Sequence, residues 1–169
     1  PRHRVHKVTT KNEAMEDKVS VLTEYPLGHG GRERSKFALE VEAMARLQHP
    51  AIMPIESVFI DSSIESLFLE MPYCAGGPID AWVKKTAPGM ERVRVALRQV
   101  LQGVDKIHSA GFVHSDLKPT NCLMSSNHPA TARPYITDFE TSTDISALVT
   151  RTMTARGGTI AYMAPELLT

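Results

Sequence analysis

The chain has 169 residues, 19 basic and 19 acidic side chains and no formal net charge. That length suits one ordinary domain with a core, and the charge balance favours neither nucleic acid nor an acidic membrane surface as a partner. Two cysteines, Cys74 and Cys122, sit far apart among apolar neighbours and read as reduced thiols. No apolar run approaches the roughly 18 to 20 residues of a membrane span, and the opening "PRHRVHKVTT" lacks the apolar core of a signal peptide. The expectation is a soluble intracellular protein, cytoplasmic or nuclear.

In chain order, residues 4 to 10 and 17 to 23 are β-branched runs that read as a hairpin with a longer loop. "YPLGHGGRER" follows, with three glycines and a proline, and reads as a loop. "SKFALEVEAMARLQHP" spaces Phe37, Val41, Met44 and Leu47 as a helix does, with Ser35 as N-cap and Pro50 beyond the end. Two strands are expected next, "AIMPIESVFI" and "SLFLEMPY", joined by "DSSIE", before "CAGGP" breaks the pattern.

Downstream, residues 90 to 111 put Val93, Leu97, Val100, Leu101, Val104 and Ile107 on one stripe and end at Gly111, the signature of an amphipathic helix with a C-terminal glycine. A strand "CLM", a polar loop, a short strand "YIT" and a Thr/Ser-rich stretch complete the chain. Strands before Gly76 and helices after it suggest an α+β protein with a sheet-rich lobe and a helical lobe about a glycine hinge, where ligand clefts are common.

Three stretches carry chemistry in a fixed order: "HSDLKPTN" at 114 to 121, "TDFE" at 137 to 140 and "GTIAYMAPE" at 158 to 166. Together they resemble the catalytic loop, metal-binding motif and activation-segment end of eukaryotic protein kinases. "LKP" and the "GT" before "YMAPE" are similar to the serine/threonine branch. Taken alone, the first stretch would also suit an Asp-Asn turn closed by a proline. The resemblance covers the middle of such a domain, from the second strand to "APE", with the rest of the helical lobe missing. It implies a bilobal fold: 1–73 as the small lobe, 74–77 as the hinge and 78–169 as the start of the helical lobe.

The resemblance also implies transfer of the terminal phosphate of ATP to a serine or threonine hydroxyl of a protein, with magnesium. Asp116 would orient the hydroxyl, Lys118 would sit near the transferring phosphate, and Asn121 and Asp138 would be the metal ligands. Val5 would pack on adenine, Met71 would guard the back pocket, and the backbones of Pro72 and Cys74 would meet the adenine edge. Thr159 resembles the threonine that contacts the catalytic aspartate and lysine, and Glu166 the glutamate that anchors the segment. No nucleic acid or membrane is implied, and oligomeric state is not legible.

Glu40 shares a helix stripe with Phe37, Val41, Met44 and Leu47. An unpaired carboxylate there would be costly, and in kinases the matching glutamate pairs with a lysine on the third strand. The alternative is that it snorkels at the stripe's edge. Glu42, four residues before Arg46, suits an exposed pair.

Aligning "DKVSVLTEY" with the family's V-A-I-K puts Leu22 where lysine is expected. Lys18 lies about 13 Å away along the strand. Glu140 replaces a glycine and Ser115 an arginine of the family pattern. His3 stands where a phosphate-loop glycine would be. Arg2, Arg4 and Lys7 would be substitute cations or merely a solvated strand end. Thr141, Ser142, Thr143, Ser146, Thr150, Thr152 and Thr154 would be modification sites or a polar loop. These departures keep a second reading open, a pseudokinase that binds, scaffolds or regulates.

Overall fold

A computed structural model describes residues 4–11, 17–27, 32–145 and 159–165. The chain opens with β1 (Arg4–Thr10) and β2 (Lys18–Pro26), crosses by helix α1 (Arg32–Arg46), and returns as β3 (Ser57–Asp61) and β4 (Ser66–Pro72). These strands form one antiparallel sheet in the order β1-β2-β4-β3. Alternation along β2 sorts its side chains between two faces. Lys18, Ser20, Leu22 and Glu24 lie on the outer face, and Val19, Val21, Thr23 and Tyr25 on the inner one.

Three expectations are corrected here. Residues 25 and 26 belong to β2 rather than to a loop, because the period-2 pattern runs through them and Tyr25 is buried at 1 % exposure. Helix α1 begins at Arg32, before Ser35, so Ser35 is not its N-cap. The strand expected from residue 51 begins only at Ser57. Residues 51 to 53 instead tie to the lower part of the molecule, where the Ile136 N–H donates to the Ala51 carbonyl at 2.8 Å and the Met53 N–H to that of Ile136 at 2.9 Å. The 61–65 turn holds as expected, with Asp61 accepting from the backbone and hydroxyl of Ser63 at 2.9 and 2.6 Å.

After the sheet come β5 (Gly77–Pro78), α2 (Ile79–Thr86), α3 (Met90–Ser109), β6 (Phe112–Val113), β7 (Cys122–Met124), β8 (Pro134–Ile136) and β9 (Thr143–Asp144). The sequence reading missed α2, although Pro78 at its start, Asp80 in its first turn and Lys84 and Lys85 in its last are ordinary helix-end chemistry. Its Trp82 is fully buried. Helix α3 forms as expected and Gly111 follows it with φ +81°, a conformation that suits glycine.

Its buried stripe is Ala96, Val100, Gly103 and Ile107, whereas Leu97 and Leu101 are exposed at 51 % and 67 %. Small residues let α3 approach closely: a Cβ on Gly103 would stand 2.8 Å from Ile136 Cδ1 and 3.3 Å from the Ala51 carbonyl oxygen.

One apolar cluster joins the sheet to the helical part, running through Tyr25, Phe37, Met44, Leu47, Leu69 and Met71 to Ile107, Ile136 and Phe139. Among the described residues no helix is long and apolar enough to cross a membrane.

Candidate active site

The loop from Val113 to Asn121 is shaped by His114, which is 4 % exposed. Burial, the largest influence, lowers its pKa and favours the neutral ring. Its Nε2 lies 3.0 Å from the Thr137 carbonyl and must donate to it, which leaves Nδ1 to accept the Asp116 N–H at 3.3 Å. The intervening Ser115 takes φ +67°, turning the chain so that Asp116 projects beside Lys118.

There three side chains close a ring. Lys118 Nζ donates to Asp116 Oδ2 at 2.5 Å and to Thr159 Oγ1 at 2.7 Å, and the Thr159 hydroxyl donates to Asp116 Oδ1 at 2.8 Å. Asn121 supports the ring from behind, its Nδ2 donating to the Asp116 carbonyl at 3.0 Å and to Oδ2 at 3.3 Å. Burial pushes the Asp116 carboxyl up, but the bonds from Lys118 and Thr159 outweigh it and hold the group below the usual aspartate range.

Asp138 lies alongside, because the Thr137 N–H donates to the Asn121 carbonyl at 3.0 Å. It takes φ +68°, a conformation aspartate tolerates better than most side chains. Its carboxylate has no hydrogen bond or ion pair among the described residues. The Asn121 amide nitrogen is engaged by Asp116, so its oxygen is the end left for a cation. Among the described residues no cluster of three or more His, Cys, Asp or Glu side chains could hold a metal by itself. A cation held here by Asn121 and Asp138 would need further oxygen ligands.

Glu40 is 4 % exposed and does not snorkel. Its partner is the Tyr25 hydroxyl, which donates to Oε2. Burial pushes the Glu40 carboxyl up to about 7; the Tyr25 bond pulls it down, and the nearby charges of Glu140 and Asp138 push it up again. Leu22 is not the residue that meets Glu40. It pairs across the sheet with His6 and Glu70, and being three residues from Tyr25 it faces the other side.

The candidate cations are elsewhere. Lys18 pairs with Glu56 at 3.0 Å and Glu70 at 3.7 Å on the outer face, Arg4 lies 4.0 Å from Glu24 on that same face, and Lys7 sits 4.1 Å from the centre of the Tyr73 ring. Arg2, His3, Ser146, Thr150, Thr152, Thr154 and Glu166 lie outside the described residues. Thr141 is engaged by its own backbone surroundings, its hydroxyl donating to the His114 carbonyl at 3.2 Å. Glu42 pairs with Arg46 at 3.5 Å, as expected of an exposed helix pair.

The remaining site residues lie at the junction between the sheet and the helical part. Val5 pairs with Thr23, points to the inner face and is 65 % exposed. Met71 and Cys74 are each 8 % exposed, and the Cys74 carbonyl accepts the Gly77 N–H at 3.0 Å. Burial pushes the Cys74 and Cys122 thiols up to about 11, and both are free cysteines. Tyr25 is the site residue that sequence reasoning missed. Its signal was present in the alternation Val21, Thr23, Tyr25, which carries the strand into the proline.

Comparison with known proteins gives the family. The protein kinase domain family matches residues 7–169. A bifunctional serine/threonine-protein kinase/NEDD4-like E3 ubiquitin-protein ligase of Dictyostelium discoideum is 31 % identical over 160 residues, covering 89 % of this chain and 8 % of that protein. The DNA damage-responsive serine/threonine-protein kinase RqkA of Deinococcus radiodurans is 37 % identical over 141 residues, covering 79 % of this chain and 20 % of that protein. The maternal embryonic leucine zipper kinase of Danio rerio is 29 % identical over 139 residues, covering 82 % of this chain and 20 % of that protein. The chain therefore spans a fifth or less of these relatives' own length.

Proposed function

This chain belongs to the protein kinase family, and from that premise we propose that it acts as a serine/threonine protein kinase, moving the terminal phosphate of ATP to a protein hydroxyl. The observation that carries this reading is the closed ring of Asp116, Lys118 and Thr159 backed by Asn121.

Asp116, ionised and pointing from a turned loop, orients the incoming hydroxyl and accepts its proton. Lys118 holds that carboxylate and offers positive charge where negative charge grows. Asn121, through its amide oxygen, and Asp138, through its unpartnered carboxylate, would hold magnesium. Bound together, ATP supplies the phosphoryl group and magnesium neutralises its charge. Val5, exposed on the inner face, is the apolar cover for an adenine ring, with Met71 behind it and the backbones of Pro72 and Cys74 at its edge.

A second reading is favoured by one observation. Glu40 is held by a neutral phenol, and among the described residues no lysine or arginine pairs with it, so the cation that a triphosphate would share with this glutamate is not beside it. In that reading the fold is kept as a binding or scaffolding module. Transfer of labelled phosphate from ATP to serine- and threonine-containing protein, in magnesium and after chelation, separates the two. Magnesium-dependent transfer supports the first, and its absence with nucleotide bound supports the second.

A further inference from the structure

We propose that Tyr25 is a positioning residue that docks helix α1 on the sheet, and that it does so whether or not nucleotide is present. The Tyr25 hydroxyl donates to Glu40 Oε2, with the two residues 1 % and 4 % exposed. Its ring also meets Phe37, one turn earlier on α1, edge to face with centroids 5.1 Å apart. Two contacts on the same helix face fix both the position of α1 and its rotation.

The tether continues downward. The Phe139 backbone lies close enough to Glu40 to help draw its pKa down, and the Phe139 ring lies 5.0 Å from that of His114, whose Nδ1 accepts the Asp116 N–H. Tyr25 thus connects through Glu40 and Phe139 to the loop that presents Asp116.

A lysine facing a glutamate and a phosphate serves both at once, so helix position and nucleotide charge become one equilibrium. A phenol can serve only the glutamate. Burial raises its pKa far above the usual tyrosine range and the Glu40 charge raises it further, so the hydroxyl stays a neutral donor. Glu40 has no ion pair with a described lysine or arginine. The position of α1 is therefore uncoupled from the phosphates. That consequence rests on the nucleotide-binding reading above, whereas the tether itself does not.

Hydrogen exchange of the α1 amides, residues 36 to 46, tests both parts in the purified protein. Tyr25→Phe removes one oxygen and keeps the ring. It should speed α1 exchange about tenfold, as expected for losing one buried hydrogen bond, while α3 is unchanged. Glu40→Gln, which keeps an acceptor, should retain most of the protection.

Adding ATP with magnesium should leave wild-type α1 exchange unaltered and should slow it in Tyr25→Lys, a difference that simple packing would not produce. Unchanged α1 exchange in Tyr25→Phe would overturn the tether, as would equal slowing by nucleotide in the wild type and in Tyr25→Lys overturn the uncoupling. Faster exchange in Tyr25→Phe, with nucleotide binding to neither protein, would uphold the tether and remove the phosphoryl-transfer reading instead.

Discussion

The Tyr25 hydroxyl and the Glu40 carboxylate meet inside the core, while Leu22, three residues before Tyr25, lies on the opposite face of β2 between His6 and Glu70. A lysine that completes the site must therefore replace Tyr25. Tyr25→Lys should strengthen binding of ATP with magnesium about tenfold, the scale of one charge-assisted contact. Leu22→Lys should change it less than about twofold, because its ammonium would join Glu70 outside the cleft. Calorimetric titration of both variants checks this. Tyr25→Lys should also melt lower than the wild type, since Phe37 loses its ring partner.

The ring of Asp116, Lys118 and Thr159 gives a graded expectation. Asp116→Asn keeps the shape but cannot take up the hydroxyl proton, and should cut phosphoryl transfer by about 10²- to 10⁴-fold with little effect on nucleotide affinity. Thr159→Ala leaves Lys118 and Asp116 paired at 2.5 Å and removes only the hydroxyl between them. It should cost about tenfold or somewhat more in turnover, the scale of one hydrogen bond to a charged group. Steady-state kinetics with varied ATP separates the two effects.

Much of this site was legible in the sequence because the residues of the catalytic loop are local. Asp116, Lys118 and Asn121 fall within six positions, so their spacing alone brings them together. Thr159 was also placed correctly, through a motif rather than a distance. The partner of Glu40 was not legible, because strand register decides it. An error of three residues moves a side chain to the other face of the sheet, and the rule that a proline ends a strand concealed Tyr25 just before Pro26. The exposed Leu97 and Leu101 have a similar cause. Periodicity gives a helix a stripe, but the small residue Gly103 decided which edge of it approaches Ile136, and Ala96 packs beside Trp82.

Glu40 also predicts a pH dependence. Its carboxyl titrates at about 7 in the fold against an ordinary 4.5, mainly because burial disfavours the charge. The folded state therefore holds the proton more tightly than the unfolded chain. The stability this contributes is fully present below about pH 4.5 and is lost as pH rises to about 7, amounting to on the order of 3 kcal/mol. Glu40→Gln has no such proton. The difference in melting temperature between wild type and Glu40→Gln should move against the wild type between pH 5.5 and 8, and then level off. A difference that stays constant across that range would contradict the burial of an ionisable Glu40.

Gly76 tests how tightly the junction after β4 is built. Its N–H donates to the Met124 carbonyl at 3.0 Å, which ties the segment after β4 to β7. A Cβ at that position would lie 2.5 Å from the Ser126 carbonyl oxygen and 2.7 Å from that of Met124. The Met124 Cβ would also stand 2.6 Å away. Two obstacles are backbone atoms and the third is fixed to the backbone, so none can swing aside and the segment must part from β7. Gly76→Ala should cost about 1–3 kcal/mol in denaturant unfolding, and the shifted backbone of Pro72 and Cys74 should weaken adenosine binding. Gly77, which has φ +66° and open space around its Cβ position, offers the contrast. Gly77→Ala should cost about 1 kcal/mol through backbone strain alone and leave adenosine affinity nearly unchanged. Equal losses of affinity in the two variants would show that hinge flexibility, rather than the close approach at Gly76, sets the adenine edge.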